Sequence, residues 1–268
     1  MTDISNQRPA QLRRRGGLRL WLPGQPGALM MVLSPAVAGI VVAWAYRGFA
    51  WTPWWLLICW LLCYCVQFSA ARWFKSHGAR RWMLQPLVYC IVLCAVGLPF
   101  VVLHPGILAW APPFAVLAAI SFRASWVRKE RSLWSNAAAV SASCLMPMLT
   151  FCYGVDTPDI PYLSIPGISL FLTFFMVQFG SVLFVKTMIR ERGRRSYIVA
   201  SWIWHAVMLA WWTFVGNGYL IALAAMLLIR AVALPMIARR RTVRPLAVGI
   251  TEFVTSTASL ILNICALL

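Results

Sequence analysis

The sequence predicts an all-α membrane protein: one polytopic bundle of about nine transmembrane helices. Three observations carry this. Hydrophobic residues make up 62% of the 268, with a mean hydropathy of +0.77, whereas a soluble domain holds roughly 45–50% apolar residues. Charged residues amount to 11%, against roughly 25% in a soluble domain, and one soluble core cannot hide that apolar surplus. Finally, 22 of the 24 basic residues fall into five short clusters separated by pairs of apolar runs. That is the pattern expected where basic loops stay in the cytoplasm.

A spanning helix needs about 20 mostly apolar residues. Nine stretches meet or approach this length: residues 28–46, 54–71, 84–103, 107–122, 137–153, 163–185, 197–215, 219–237 and 246–268. The first follows a polar segment carrying Arg13, Arg14 and Arg15. It is too long for a signal-peptide core and no small-residue cleavage site follows it, so it is expected to remain as the first span. The fourth contains Pro112 and Pro113 and the fifth is rich in Ala and Ser. Proline is tolerated in a span when neighbours satisfy the carbonyl it frees. Residues 1–20 read as a basic cytoplasmic tail and residues 21–268 as a single transmembrane domain.

The basic clusters orient the bundle. They are Arg8, Arg13, Arg14, Arg15 and Arg19 in the tail; Arg72, Lys75, Arg80 and Arg81 between the second and third spans; and Arg123, Arg128, Lys129 and Arg131 between the fourth and fifth. Lys186, Arg190, Arg192, Arg194 and Arg195 follow the sixth, and Arg239, Arg240, Arg241 and Arg244 follow the eighth. Nine spans put all five on one side, the cytoplasm, with the C-terminus outside. The opposite loops hold Asp156, Asp159 and, as their one basic residue, Arg47. A multi-pass location in a membrane, with the N-terminus in the cytoplasm, is expected.

The same clustering bears on partners. A net charge of +18 on a soluble chain would point to nucleic acid. Here the charge lies in short inter-span loops, so membrane lipids are the expected partner and nucleic acid is not. The eight cysteines fall mostly within apolar runs, and no metal-ligand spacing appears; they read as small buried apolar side chains. Trp51, Trp54, Trp55 and Trp82 lie near span ends, where an interfacial aromatic belt is expected. Trp202, Trp204, Trp211 and Trp212 share one helix and read as packing residues.

Ionisable residues inside spans are costly, and each raises a functional question. His205, Arg230 and Glu252 are the three. Each lies roughly 9–12 Å below the cytoplasmic boundary at 1.5 Å per residue. Arg230 and Glu252 are equally far in sequence from Arg241, so an antiparallel hairpin can bring them level. Two arrangements follow. One is a structural ion pair locking the eighth and ninth helices; the other is a polar pocket open to the cytoplasm with His205 as a third wall. The densest basic loop, with Lys186, Arg190, Glu191 and Arg192, is either a topogenic loop resting on anionic lipid or a site for an anion or phosphate. Nothing resembles a nucleotide loop, a zincin helix or a hydrolase elbow. With three histidines and six acids, no catalytic residue, metal ligand set or cofactor is expected.

Several segments resemble the YwiC-like family of bacterial membrane proteins. They are residues 21–31 with Ser34, Pro35 and Gly39; Glu130, Arg131, Ser132 and Leu133 with Asn136; residues 184–193 with Tyr197, Ser201 and His205; and Arg244, Pro245, Gly249 and Glu252. The run over residues 185–193 is the most specific. The family opening usually reads Asn-Gln-His-Gly, whereas this chain has Gly24, Gln25, Pro26 and Gly27, so any role for that histidine is absent here. The resemblance implies architecture more than activity, and a bacterial cytoplasmic (inner) membrane as the location. The nine-span plan is also similar to UbiA-type prenyltransferases, whose long cytoplasmic loops carry aspartate-rich motifs for magnesium and a prenyl diphosphate. Residues 67–81 contain no Asp or Glu, and Glu191 is the one acid in the later loop. A hard cation needs several carboxylate oxygens, which these loops do not offer.

The leading expectation is therefore a non-catalytic membrane protein that binds or transports a small or lipid-like anionic molecule. The alternatives are a divergent UbiA-type lipid-modifying enzyme and a structural subunit of a membrane complex.

Overall fold

A computed structural model describes Trp21 and residues 26–154, 164–240 and 245–268. Among the described residues there are nine long helices and no strand: α1 (Pro26–Arg47), α2 (Thr52–Lys75), α3 (Leu84–Leu103), α4 (Ala111–Trp126), α5 (Leu133–Cys152), α6 (Ile165–Val185), α7 (Arg195–Val215), α8 (Gly218–Arg240) and α9 (Pro245–Cys265). Taken with the 3-10 segments that precede the third and fourth, over Arg80–Leu103 and Pro105–Trp126, all nine are long and apolar enough to cross a membrane. The basic tail expected over residues 1–20 lies outside the described residues.

All boundaries fall within four residues of expectation, and one of the larger shifts has a local cause. The fourth helix starts at Ala111 rather than residue 107, after a 3-10 segment over Pro105–Trp110, because Pro112 and Pro113 occupy its first turn. Proline is favoured there, where its missing N–H costs no intrahelical bond. Helix α6 continues into a widened turn, Lys186–Arg190, in which Glu191 N–H donates to Lys186 O at 2.8 Å. Such π-type turns are rare and often mark functional positions.

Helices α1 and α5 form the centre. Twelve of the twenty α5 residues are buried, whereas α3 buries two, Pro86 and Phe100. Helix α1 packs on α5, α9, α6 and α2; α2 carries α3 and α4 on the outside; α7 and α8 pair and join through α6 and α9. One core cluster lies between α1 and α5, from Ile40 and Ala36 to Met148 and Tyr153. Another lies between α6 and the α7–α8 pair, around Val177, Met208 and Leu223. The α3 and α4 surfaces expose Leu98, Val102, Leu108 and Val116, as a lipid-facing layer would.

Close approach of α1 to α5 depends on Gly39. A Cβ there would sit 2.6 Å from Pro147 O and 2.7 Å from Pro147 Cα, which are backbone atoms that cannot step aside.

Prolines inside the helices leave carbonyls without their usual donors, and side chains from neighbouring helices take them up. Pro35 has no N–H for Met31 O, which instead accepts from Ser143 Oγ at 2.5 Å and Gln178 Nε2 at 2.9 Å. Pro235 frees Ala231 O, which accepts the Trp202 indole at 3.0 Å. Trp55 also donates to Val96 O at 3.0 Å, next to Ala95, whose carbonyl Pro99 leaves without its usual donor. In lipid no water can serve these groups, so each bond ties two helices together while removing a desolvation cost.

The ends are tied as well. On the basic side, Lys75 meets Glu130 at 2.9 Å, Lys186 donates to Arg131 O at 2.6 Å and Arg192 donates to Ala238 O at 2.9 Å. On the other side, Tyr46 donates to Leu267 O and Asn217 to Ala266 O, while Arg47 lies over the Phe151 ring. Among the described residues, the three basic connections thus gather at one end of the bundle.

Candidate functional site

Four helices meet around Arg230. It stands on α8 and is 6% exposed. Its Nη1 donates to Glu252 Oε1 at 2.5 Å and to Thr255 Oγ1 at 2.7 Å, both on α9. Its Nη2 donates to Ser181 Oγ on α6 at 3.2 Å, and the guanidinium lies 4.3 Å from the Phe184 ring centre. The Nε–H, buried, has no partner.

The surrounding sequence explains the placement. Thr255 follows Glu252 by three residues, so both project from one face of α9. Ser181 and Phe184 bear the same relation on α6. Helix α8 presents small residues, with Ala224 and Ala231 fully buried, which lets its backbone approach. An ion pair surrounded by hydroxyls and an aromatic face compensates the desolvation that either charge alone would suffer.

His205 approaches from α7. It is completely buried; its Nδ1 lies 2.7 Å from Ser201 O, and its Nε2 has no partner. The ring faces α6 where Gly180 makes room: a Cβ there would be 3.0 Å from Nε2. Ser201 Oγ, one turn earlier, is also buried without a partner. So His205 and Arg230 pack on adjacent residues of α6, Gly180 and Ser181, without bonding to each other.

Of the two arrangements open to the sequence, the ion pair is present and the three side chains are packed together rather than spread around an open space. The Glu252 side chain, 13% exposed, is the least enclosed member of the pair. The sequence did not single out Ser181, Thr255, Phe184 or Gly180. Thr255 alone had a local signal, a hydroxyl one helical turn from Glu252; Gly180, Ser181 and Phe184 stand on a helix distant in sequence.

The basic loop is divided. Lys186 is 4% exposed and its ammonium is held by Arg131 O beside the Tyr197 ring. Glu191 pairs with Arg194 at 2.8 Å, and Arg192 closes onto the end of α8. Arg190 is exposed. Two of the four predicted loop residues, Lys186 and Arg192, therefore work as struts between elements. The loop and the Arg230 cluster lie along the same helix, with Lys186 five residues beyond Ser181.

All three described carboxylates, Glu130, Glu191 and Glu252, are engaged by a cation. No group of three or more His, Cys, Asp or Glu suited to a metal occurs among the described residues.

Residues 22–151 match the family described as YwiC-like protein, so the resemblance read from the sequence holds over α1–α5. A Haemophilus influenzae protein described as uncharacterized is 26% identical over 254 residues, covering 94% of this chain and the whole of that relative. Its coverage takes in most of the chain beyond residue 151, where the Arg230 cluster lies. No solved structure matches the chain.

Proposed function

We propose that the protein is a non-catalytic membrane protein that binds or moves a small or lipid-like anionic molecule through the Arg230 region. The observation that supports this is a buried donor without an acceptor. Arg230 Nε–H is buried and unbonded beside α6, and Ser201 Oγ on α7 is a second buried hydroxyl without a partner, whereas His205, whose Nδ1–H faces Ser201 O, offers only an acceptor at Nε2. Leaving such groups unsatisfied costs about 1–3 kcal/mol each, and a structure that needed only an ion pair would have no reason to keep them. An oxyanion can accept from the spare guanidinium N–H, while the apolar helices hold its hydrocarbon part.

Access runs from the basic side, where Arg190 is exposed and Arg131, Arg192 and Arg194 raise the local anion concentration. The orientation that puts this rim in the cytoplasm, with the C-terminus outside, belongs to the same proposal. Magnesium–diphosphate chemistry finds less support, because the three described carboxylates are already paired with cations.

The test is mass spectrometry of small molecules and lipids that co-purify with the intact protein, beside Arg230→Ala. A species enriched in the wild type and lost from a folded variant is the expected result. Identical bulk lipid in both would leave the ion pair as a structural lock and end the proposal. If Arg230→Ala does not fold, His205→Phe replaces it, read in the same way.

A further inference from the structure

Three further buried polar atoms without partners occur on either side of the α2–α3 connection, far from Arg230 in sequence and on other helices. Arg72 Nη2, Trp73 Nε1 and Gln85 Oε1 are all buried and unbonded, at the end of α2 and the start of α3. Arg72 lies three residues before the end of α2, about 5 Å along the helix axis. Its guanidinium sits 4.1 Å from the Phe68 ring centre and 6.0 Å from that of Trp82. Tyr89, one turn beyond Gln85 on α3, is near enough to interact with Arg72 electrostatically, and its hydroxyl donates to Trp21 O at 2.7 Å.

The charge here has no internal counterpart. Lys75 takes Glu130, Arg194 takes Glu191 and Arg230 takes Glu252, which leaves no described carboxylate for Arg72. Arg80 and Arg81 stand exposed on the same connection, outside the buried set. Exposed Met83, Leu84 and Leu87 follow directly, so the place borders apolar surface on one side and the basic end on the other. A guanidinium with a spare N–H matches the oxygens of a phosphoryl group, and the aromatic faces keep it desolvated, which strengthens that bond.

We propose that Arg72 and Gln85 form a binding site for one phosphoryl group at the basic end of α2 and α3. The Gln85 carboxamide rotates to present its NH2 to a second phosphate oxygen. This site is independent of the Arg230 reading. The phosphoryl group comes either from a phospholipid or from a free phosphate.

Native mass spectrometry of the full chain in detergent tests this, with phosphatidylglycerol and inorganic phosphate as probes. The wild type is expected to retain one phosphoryl group per chain. Arg72→Gln should weaken it about tenfold, the order of one charge-assisted hydrogen bond, and Arg72→Lys should restore part. Arg80→Gln removes an equal but exposed charge and should leave it unchanged. Retained phosphatidylglycerol that phosphate does not displace identifies a lipid site; displacement or direct retention of phosphate identifies a free-phosphate site. Equal retention by wild type and Arg72→Gln, an equal loss in Arg80→Gln, or no one-to-one retention overturns the proposal. Should Arg72→Gln not fold, Gln85→Leu keeps the charge and must still weaken retention; unchanged retention overturns the proposal equally.

Discussion

A buried charge in a membrane domain is held by the group opposite it, and removing either partner strands the other. Arg230→Met or Glu252→Met is expected to cost about 3–5 kcal/mol, whereas the double substitution should cost far less. Unfolding of the detergent-solubilised protein measures this, and additive single effects would show that the pair is not coupled. Trp202 offers a second case. Its indole serves the carbonyl that Pro235 frees, so Trp202→Phe should cost about 1–3 kcal/mol. Pro235→Ala restores the backbone donor and should remove most of that penalty in the double variant. The charges themselves were legible in the sequence, down to the pairing of Arg230 with Glu252, because two loop-linked helices fix which residues can be level. Ser181, Phe184 and Gly180 were not, since α6 is distant in sequence and no local pattern says which of its faces meets α8.

Pairs of helices are set by how closely their backbones approach. Gly39→Ala pushes a methyl into the Pro147 backbone and should destabilise by about 1–3 kcal/mol, as overpacking does. Gly97→Ala on the outer helix α3 is the control: its Cβ meets only Leu93 Cδ1 at 3.7 Å, and no loss is expected there. Comparing their thermal unfolding separates a helix contact from the propensity of glycine itself. The family-like segment at Glu130 acts at this scale too. Glu130 takes Lys75, Arg131 O takes Lys186, and Ser132 Oγ caps α5 through Ser135 N–H at 3.4 Å. One short loop thereby fastens α2, α5 and α6 at the basic end.

For the whole bundle, the bonds among the described basic connections lie at one end and those among the opposite loops at the other; which end faces the cytoplasm is the proposal to test. A periplasm-active reporter fused after Leu268 is expected to be active, and one fused after Arg195 inactive. The reverse pattern would overturn the assignment. The outward faces of α3 and α4 lie against lipid in this orientation, so polar substitutions such as Val102→Asn should impair insertion rather than unfold the core, which quantifying membrane-integrated protein would reveal.

By itself the sequence determined the class and the number of long apolar spans, and it supplied the expected side for the basic loops. These depend on how each segment meets its solvent: hydropathy over about 20 residues decides whether it enters lipid, and loop charge decides which way it faces. Only the tertiary structure decided who neighbours whom. In water an amphipathic stripe announces the inward face of a helix, but in lipid the outward face is apolar as well, and the stripe fades. That Met31 O meets Ser143 and Gln178, that α1 and α5 touch through Gly39, and that Arg230 reaches Ser181 depend on contacts between distant segments. Those contacts are chosen by small-residue packing and by the need to satisfy every polar group where water is absent.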